Sequence, residues 1–148
     1  MEARRAALSI LDFVTGFIVF SLATVAIHEY FHANVARMLG GDAVVVYWWL
    51  GGYTAVHGSF ELWQVALIAL SGGFSCFLLY LYLFLWWLED PSDRNVRVAA
   101  FYYMVNQLVY GFLEVLAIYM AVPFPIAYMY SALVAGGLTV IYVFKRSG

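Results

Sequence analysis

The sequence predicts an all-α membrane protein with four transmembrane helices and a small β-hairpin between the first and the second helix. Of its 148 residues, 66% are hydrophobic and only 11% are charged, and the mean hydropathy is +0.87. Ordinary soluble domains are less apolar and carry about twice as many charges. A soluble chain of this length could not enclose so much apolar surface. We therefore interpret residues 1–148 as a single transmembrane domain in a lipid bilayer.

Four apolar segments are long enough to cross a membrane, which takes about 20 residues of helix. Their predicted bounds are Ala6 to Leu39, Leu62 to Leu88, Val96 to Val122, and Ile126 to Phe144. Residues that end helices lie between them, namely Gly40-Gly41, Pro91, and the pair Pro123 and Pro125.

The stretch from Asp42 to Ser59 differs from its apolar surroundings and predicts the β-hairpin. Residues 44–49 are β-branched or aromatic, Gly51-Gly52 offers a two-residue turn, and Tyr53 to Val56 returns to residues typical of strands. The same aromatic residues would also suit a loop at the membrane interface. The two interpretations overlap, since a hairpin at that depth would use these aromatic side chains in the same way.

The few basic residues predict an orientation in the membrane. With four crossings, three pairs would share one side: Arg4 and Arg5, Arg94 and Arg97, and Lys145 and Arg146. Arg37 would lie near the other side. Because basic residues favour the cytoplasmic side, both termini are predicted to be cytoplasmic in a multi-pass protein of the cell membrane. The net charge of -2 and the lack of a basic patch argue against a nucleic-acid partner.

The pentapeptide His28-Glu29-Tyr30-Phe31-His32 carries the most specific chemical signal. On a helix, residues four apart share a face, so His28 and His32 can offer two ring nitrogens to one metal ion. Glu29 is turned about 100° away from His28, so it is placed to act on a water molecule rather than to bind the metal. This is the HExxH arrangement of zinc hydrolases, in which the glutamate is the general base.

A catalytic zinc site needs a third protein ligand. His57 is the only other histidine, and Glu114 is the only acid in the third apolar segment. In a four-crossing arrangement the first and third helices are parallel, and Glu114 is as far from the end of its segment as Tyr30 is from Met38. Glu114 should therefore lie close to the depth of the histidines, and it is the preferred third ligand.

A structural interpretation of the motif competes with the metal site. His28, Glu29 and His32 could join helices through hydrogen bonds instead. We prefer the functional interpretation because ionisable residues inside a membrane are costly and usually functional. A haem held by both histidines is a poorer alternative, since its axial ligands come from opposite faces of the ring. A di-iron hydroxylase would need more than the three histidines present.

With these residues in view, the chain resembles the site-2 proteases, which are intramembrane zinc metalloproteases. In that family the first core helix carries HExxH and the third carries Asn-x-x-Pro-x-x-x-x-Asp-Gly, whose aspartate binds zinc. Here Asn106 and Glu114 keep the asparagine and an acid at that spacing. The hairpin region and Ser71-Gly72-Gly73 are similar to further family features, and the resemblance runs from about Thr24 to Val122.

The resemblance implies Zn²⁺ held by His28, His32 and Glu114, and a role for Asn106 in binding substrate or the developing oxyanion. The chain departs from the family pattern at Glu114, which replaces aspartate, at Val109, which replaces proline, and at Val115, which replaces glycine. Without the proline, an unbroken helix would place Asn106 about 12 Å from Glu114 along the axis. An interhelical hydrogen bond is then an equal alternative for Asn106.

The predicted function is hydrolysis of peptide bonds in membrane-embedded or membrane-proximal protein substrates by a zinc metalloendopeptidase. Glu29 is the predicted catalytic base. Two other functions stay open: a non-catalytic membrane scaffold with a protease-like fold, and a small transporter of metal ions or protons. With no soluble domain to recruit substrates, a regulatory membrane partner or a second copy of the chain is a further expectation.

Overall fold

The computed structural model describes residues 2–48, 51–86 and 94–147, which form four helices and one antiparallel sheet of two strands. In chain order the elements are α1 Glu2–Met38, β1 Asp42–Trp48, β2 Gly51–His57, α2 Leu62–Trp86, α3 Arg94–Met120 and α4 Phe124–Ser147. The predicted fold class, four long apolar helices with a hairpin between the first two, is confirmed.

Each helix contains a stretch that is long and apolar enough to cross a membrane: Phe13–Met38, Leu62–Trp86, Arg94–Met120 and Phe124–Lys145. These four stretches fit an integral, multi-pass membrane protein. The helix α4 begins at Phe124 rather than at the predicted Ile126. Pro125 is tolerated there because the first turn of a helix needs no N–H group from it. Pro91, the predicted end of the second helix, lies outside the described residues.

The predicted stop of the first helix at Gly40-Gly41 is confirmed. Gly40 has a φ of 87°, in the left-handed region that glycine adopts at no steric cost. The amide of Gly41 donates to the carbonyl of Ala36 at 3.0 Å, which closes the helix end. The chain then turns back, so that the hairpin lies along the second half of α1.

The hairpin has a different register from the predicted one. Asp42 pairs with His57 and Trp48 with Gly51, so Gly51 and Gly52 belong to β2, and the prediction that they form the turn is wrong. The connection is made by residues 49–50, outside the described residues. A Cβ atom on Gly52 would lie 3.2 Å from Cγ of Glu29. Glycine at this position therefore allows the strand to approach α1 closely.

Small residues bring the helices together. A Cβ atom on Gly73 would lie 2.6 Å from Cα of Gly111, so α2 and α3 are in backbone contact, as small residues permit between membrane helices. Toward the start of α1 the bundle is filled by Cys76, Tyr80 and Tyr103, all buried. The hydroxyl groups of Thr24 and Tyr80 are 2.6 Å apart. The helix α4 packs against α3.

Four crossings place both ends of the chain on the same side of the membrane. Reporter fusions to Met1 and to Gly148, each scored on both sides, should give matching results, and the basic residues predict the cytoplasmic side for both. A fusion within the hairpin is the internal control, since it should report the opposite side. Opposite results for the two termini would contradict the count of four crossings.

Candidate metal centre

Helix α1 presents the two histidines of the motif on one buried face. His28 and His32 are 5% and 6% exposed, and their ring centroids are 4.5 Å apart. The spacing of four residues produces this arrangement, because residues four apart lie above one another on a helix. The shared face points into the bundle, toward α2 and α3.

Helix α3 supplies the carboxylate that faces both rings. Glu114 Oε2 lies 3.2 Å from His28 Nε2, and Glu114 Oε1 lies 3.4 Å from His32 Nε2. Ligand atoms of the three residues all lie within 4.8 Å of one another, so the group could hold one metal ion. The expectation that Glu114 shares the depth of the histidines agrees with this geometry.

The other nitrogen of each histidine ring has its own partner. His32 Nδ1 lies 2.6 Å from the carbonyl oxygen of Ile68, which can only accept, so Nδ1 carries the proton. His28 Nδ1 lies 3.0 Å from Oε1 of Gln107. Such partners commonly fix the tautomer and the orientation of histidines that bind metals. In the neutral form of each ring, Nε2 has a lone pair directed toward Glu114.

The bond between His28 and Gln107 is the first link of a directed chain that ends on α4. Gln107 Nε2 donates to Asn106 Oδ1 at 3.0 Å, and Asn106 Nδ2 donates to Ser131 Oγ at 3.1 Å. The Ser131 hydroxyl donates in turn to the carbonyl of Tyr128 at 2.7 Å. Because that carbonyl can only accept, it sets the direction of every bond in the chain. Gln107 therefore offers an oxygen to His28, which keeps the proton on Nδ1.

The centre thus brings three acceptors face to face. Two neutral Nε2 atoms and a carboxylate repel one another unless a cation or a proton lies between them. Among the residues that the structure describes, His32 Nε2 and Glu114 Oε2 are buried and have no hydrogen-bond partner, which is costly away from water. Two imidazole nitrogens and one carboxylate are a donor set suited to a divalent transition metal, Zn²⁺ in particular.

Gly72 allows α2 to close over the two rings. A Cβ atom at Gly72 would lie 2.5 Å from His32 Nε2 and 2.8 Å from His28 Cδ2. Any larger residue would therefore displace the atoms that could bind the metal. The two neighbouring glycines thus serve different contacts, since Gly72 faces the histidines and Gly73 faces α3.

Glu29 lies beside the group of three residues and is held by the hairpin. Its side chain is 9% exposed. The Thr54 hydroxyl, on β2, lies 2.7 Å from Glu29 Oε2 and 3.0 Å from the backbone oxygen of Glu29. The predicted offset from the histidine face is observed, and Glu29 lines the cavity that His32 and Glu114 also line. The hairpin thus fixes the carboxylate next to the centre.

The structure does not bring Asn106 or His57 to the centre. Asn106 is fully buried and bonded to Gln107 and Ser131, which matches the interhelical alternative weighed for it. The role of Asn106 in binding substrate stays a prediction. His57 is exposed at the end of β2 and lies outside the group that could hold a metal.

Sequence reasoning missed three contributors: the Gln107 amide, the Thr54 hydroxyl and the Ile68 carbonyl. Gln107 gave a signal, because a second amide beside Asn106 in an apolar segment is a candidate for hydrogen bonding between helices. Thr54 gave a weaker one, as the only hydroxyl in the second predicted strand apart from Tyr53. A backbone carbonyl such as that of Ile68 gives no signal in a sequence.

The chain matches no protein-family model, no curated protein and no solved structure.

Replacing Gly72 by alanine should damage the centre more than the fold. The added methyl group meets His32 Nε2, so we expect zinc affinity to fall by about tenfold or more, while the helices still assemble. Gly136→Ala is the matched control, because a Cβ atom there meets nothing within 4 Å. Zinc titration and thermal unfolding in detergent would measure both effects. Parental zinc affinity in Gly72→Ala would contradict the close contact.

Replacing Gln107 by leucine removes the acceptor that holds His28 Nδ1. We expect zinc affinity to fall by about 10- to 100-fold, as is typical when a partner of a metal-binding histidine is lost. Gln64→Leu is the control, because the Gln64 side chain accepts a bond from the amide of Glu61 at the start of α2, away from the centre. Zinc titration of both variants is the measurement. An unchanged affinity in Gln107→Leu would show that the amide does not position His28.

Proposed function

We propose that the protein is an intramembrane zinc metalloendopeptidase that hydrolyses peptide bonds of membrane-embedded or membrane-proximal substrates. The observation that carries this proposal is the convergence of His28 Nε2, His32 Nε2 and the Glu114 carboxylate, with Glu29 beside them. Two histidines and an acid next to a further glutamate are the set used by HExxH hydrolases. The resemblance of residues 24–122 to site-2 proteases supports the same function.

His28, His32 and Glu114 would hold the zinc ion. When bound, zinc supplies a Lewis acid that polarises the scissile carbonyl and makes water a stronger nucleophile at neutral pH. Glu29 takes one proton from the attacking water and delivers it to the nitrogen of the leaving amine. The Thr54 hydroxyl, 2.7 Å from Glu29 Oε2, orients the carboxylate for both transfers.

The hairpin is placed to hold the substrate in an extended form. A helical substrate hides its peptide bonds in internal hydrogen bonds, so it must unwind before attack. Gly52, Tyr53 and Thr54 of β2 line the same cavity as Glu29 and Glu114. An unwound segment could pair with this strand, as peptides do when they extend a sheet. The protein would act in the cell membrane, with a regulatory membrane partner or a second copy as candidates for substrate control.

Three variants separate the roles of the two glutamates. Glu29→Gln keeps its size but cannot accept a proton, so zinc should stay bound while cleavage of a membrane-embedded peptide falls about 100-fold or more. Glu114→Gln should weaken zinc binding and cleavage together, because an amide oxygen is a poor ligand. Glu114→Asp has a shorter reach, and we expect partial zinc retention with reduced cleavage. Zinc stoichiometry and the cleavage rate are measured for each.

The same measurements distinguish the other functions. About one tightly held zinc ion per chain without cleavage of any peptide would support a scaffold with structural zinc. Weak, exchangeable binding would support a transporter. If Glu114→Gln binds zinc as tightly as the parent, Glu114 is not the third ligand. A protein that stays folded and cleaves peptides without zinc would refute the proposal.

A further inference from the structure

Two cavities of different size and lining meet at the candidate metal centre. The larger, about 420 Å³, touches His32 and Glu114. The smaller, about 220 Å³, touches His28. Glu29, Gly52 and Tyr110 line both cavities. A peptide bound at the centre would therefore have both cavities within reach.

The larger cavity is apolar away from the centre. Its polar side chains belong to the centre, to β2 or to α3: Glu29, His32, Glu114, Tyr53, Thr54 and Tyr110. The remaining lining comes from the hairpin, the start of α2, the end of α3 and the start of α4: Val56, Phe60, Val65, Ile68, Ala69, Ile118 and Phe124. This volume lies in the range of sites that enclose apolar ligand groups.

The smaller cavity has a higher polar share of its surface than the larger cavity. Beside His28 and Glu29 it is lined by hydroxyl and amide side chains: Ser21, Thr24, Tyr103, Gln107, Tyr110 and Tyr128. Among the described residues, Val25 is the only aliphatic side chain that lines it. The Gln107 side chain is already hydrogen-bonded to His28 and Asn106. A large apolar side chain would gain less here than in the larger cavity, because the space is about half as large and the side chain would cover polar groups that water can otherwise reach.

We infer that the larger cavity, lined by Val65, Ile68 and Ile118, is a specificity pocket for one large apolar side chain beside the scissile bond. The smaller cavity takes a small or polar residue on the other side of that bond. This inference rests on the proposed function and names the substrate class: unwound membrane segments with an aromatic or branched aliphatic residue at one of the two positions that flank the cleaved bond.

The physical basis is the difference in transfer free energy between the two cavities. An aromatic or branched side chain gains from leaving water only where apolar groups receive it. A charged or amide side chain in the larger cavity would lose its hydration without a partner. The preference for an aromatic or branched aliphatic side chain should therefore be strong at one flanking position and weak at the other.

Binding to the zinc-loaded Glu29→Gln protein tests the pocket without requiring cleavage. The probes are fluorescent Ala-Leu peptides whose two central residues are Ser-Ser, Phe-Ser, Ser-Phe or Phe-Phe. One of the single-phenylalanine peptides should bind about 10- to 200-fold more tightly than Ser-Ser. The Phe-Phe peptide should gain no more than a further twofold, because only one cavity accepts the ring.

A pair of tryptophan variants locates the effect. Val65→Trp, made in the Glu29→Gln protein, fills the larger cavity and should abolish the gain from phenylalanine while Ser-Ser binding changes less than twofold. Leu67→Trp is the matched control, because Leu67 is exposed on the same helix and lines a different apolar surface. Leu67→Trp should keep the tighter binding of the phenylalanine peptide. Zinc stoichiometry and thermal unfolding confirm that both variants are folded.

Equal affinity for all four peptides would overturn the inference, and so would an equal loss of phenylalanine binding in Val65→Trp and Leu67→Trp. A larger Tm loss in Val65→Trp is resolved by Val65→Phe, which must reduce the gain in part. Cleavage by the parent protein is measured separately on the same peptides. Absence of cleavage with selective binding refutes the proposed function alone, and cleavage without selectivity refutes the pocket alone.

Discussion

Two imidazole nitrogens and a carboxylate face one another inside a bundle of apolar helices, and much of the structure can be understood from that contact. Three acceptors at 3.2 to 3.4 Å are unfavourable without a positive charge among them. The surrounding groups nevertheless hold them in this position. The Ile68 carbonyl and the Gln107 amide occupy the outer nitrogens, and Gly72 removes the side chain that would push the rings away. Each of these features favours a cation at the centre.

The fourth helix is more than an addition to a three-helix core. Ser131 and Asn106 are fully buried, and their bond connects α4 to the amide that orients His28. The direction of this hydrogen-bond chain is set by a backbone carbonyl on α4, so the tautomer of a candidate ligand depends on a helix that carries none of the candidate ligands. A displacement of α4 would reach the centre through this chain.

The hairpin lies along α1 rather than outside the bundle, and this brings β2 into contact with Glu29. Thr54 contacts Glu29, which lies about 13 Å before the end of α1 at 1.5 Å per residue. The strand can reach this depth because Gly52 has no side chain to meet Val25 and Glu29. The same two glycines that suggest a turn in the sequence thus serve close packing. The residues that Gly51 and Gly52 pack against define the register of the hairpin. Local residue preferences do not determine that register.

The sequence by itself determined the four helices, the hairpin, the Gly40-Gly41 helix end and the grouping of His28, His32 and Glu114. These depend on properties that repeat or act locally: long apolar runs, the helical period of four residues, and a shared depth for parallel helices. Only the tertiary structure decided the Gly51 register, the partners of the outer histidine nitrogens and the contrast between the two cavities. Those features depend on backbone carbonyls and on side chains from distant segments, whose meeting no local pattern specifies.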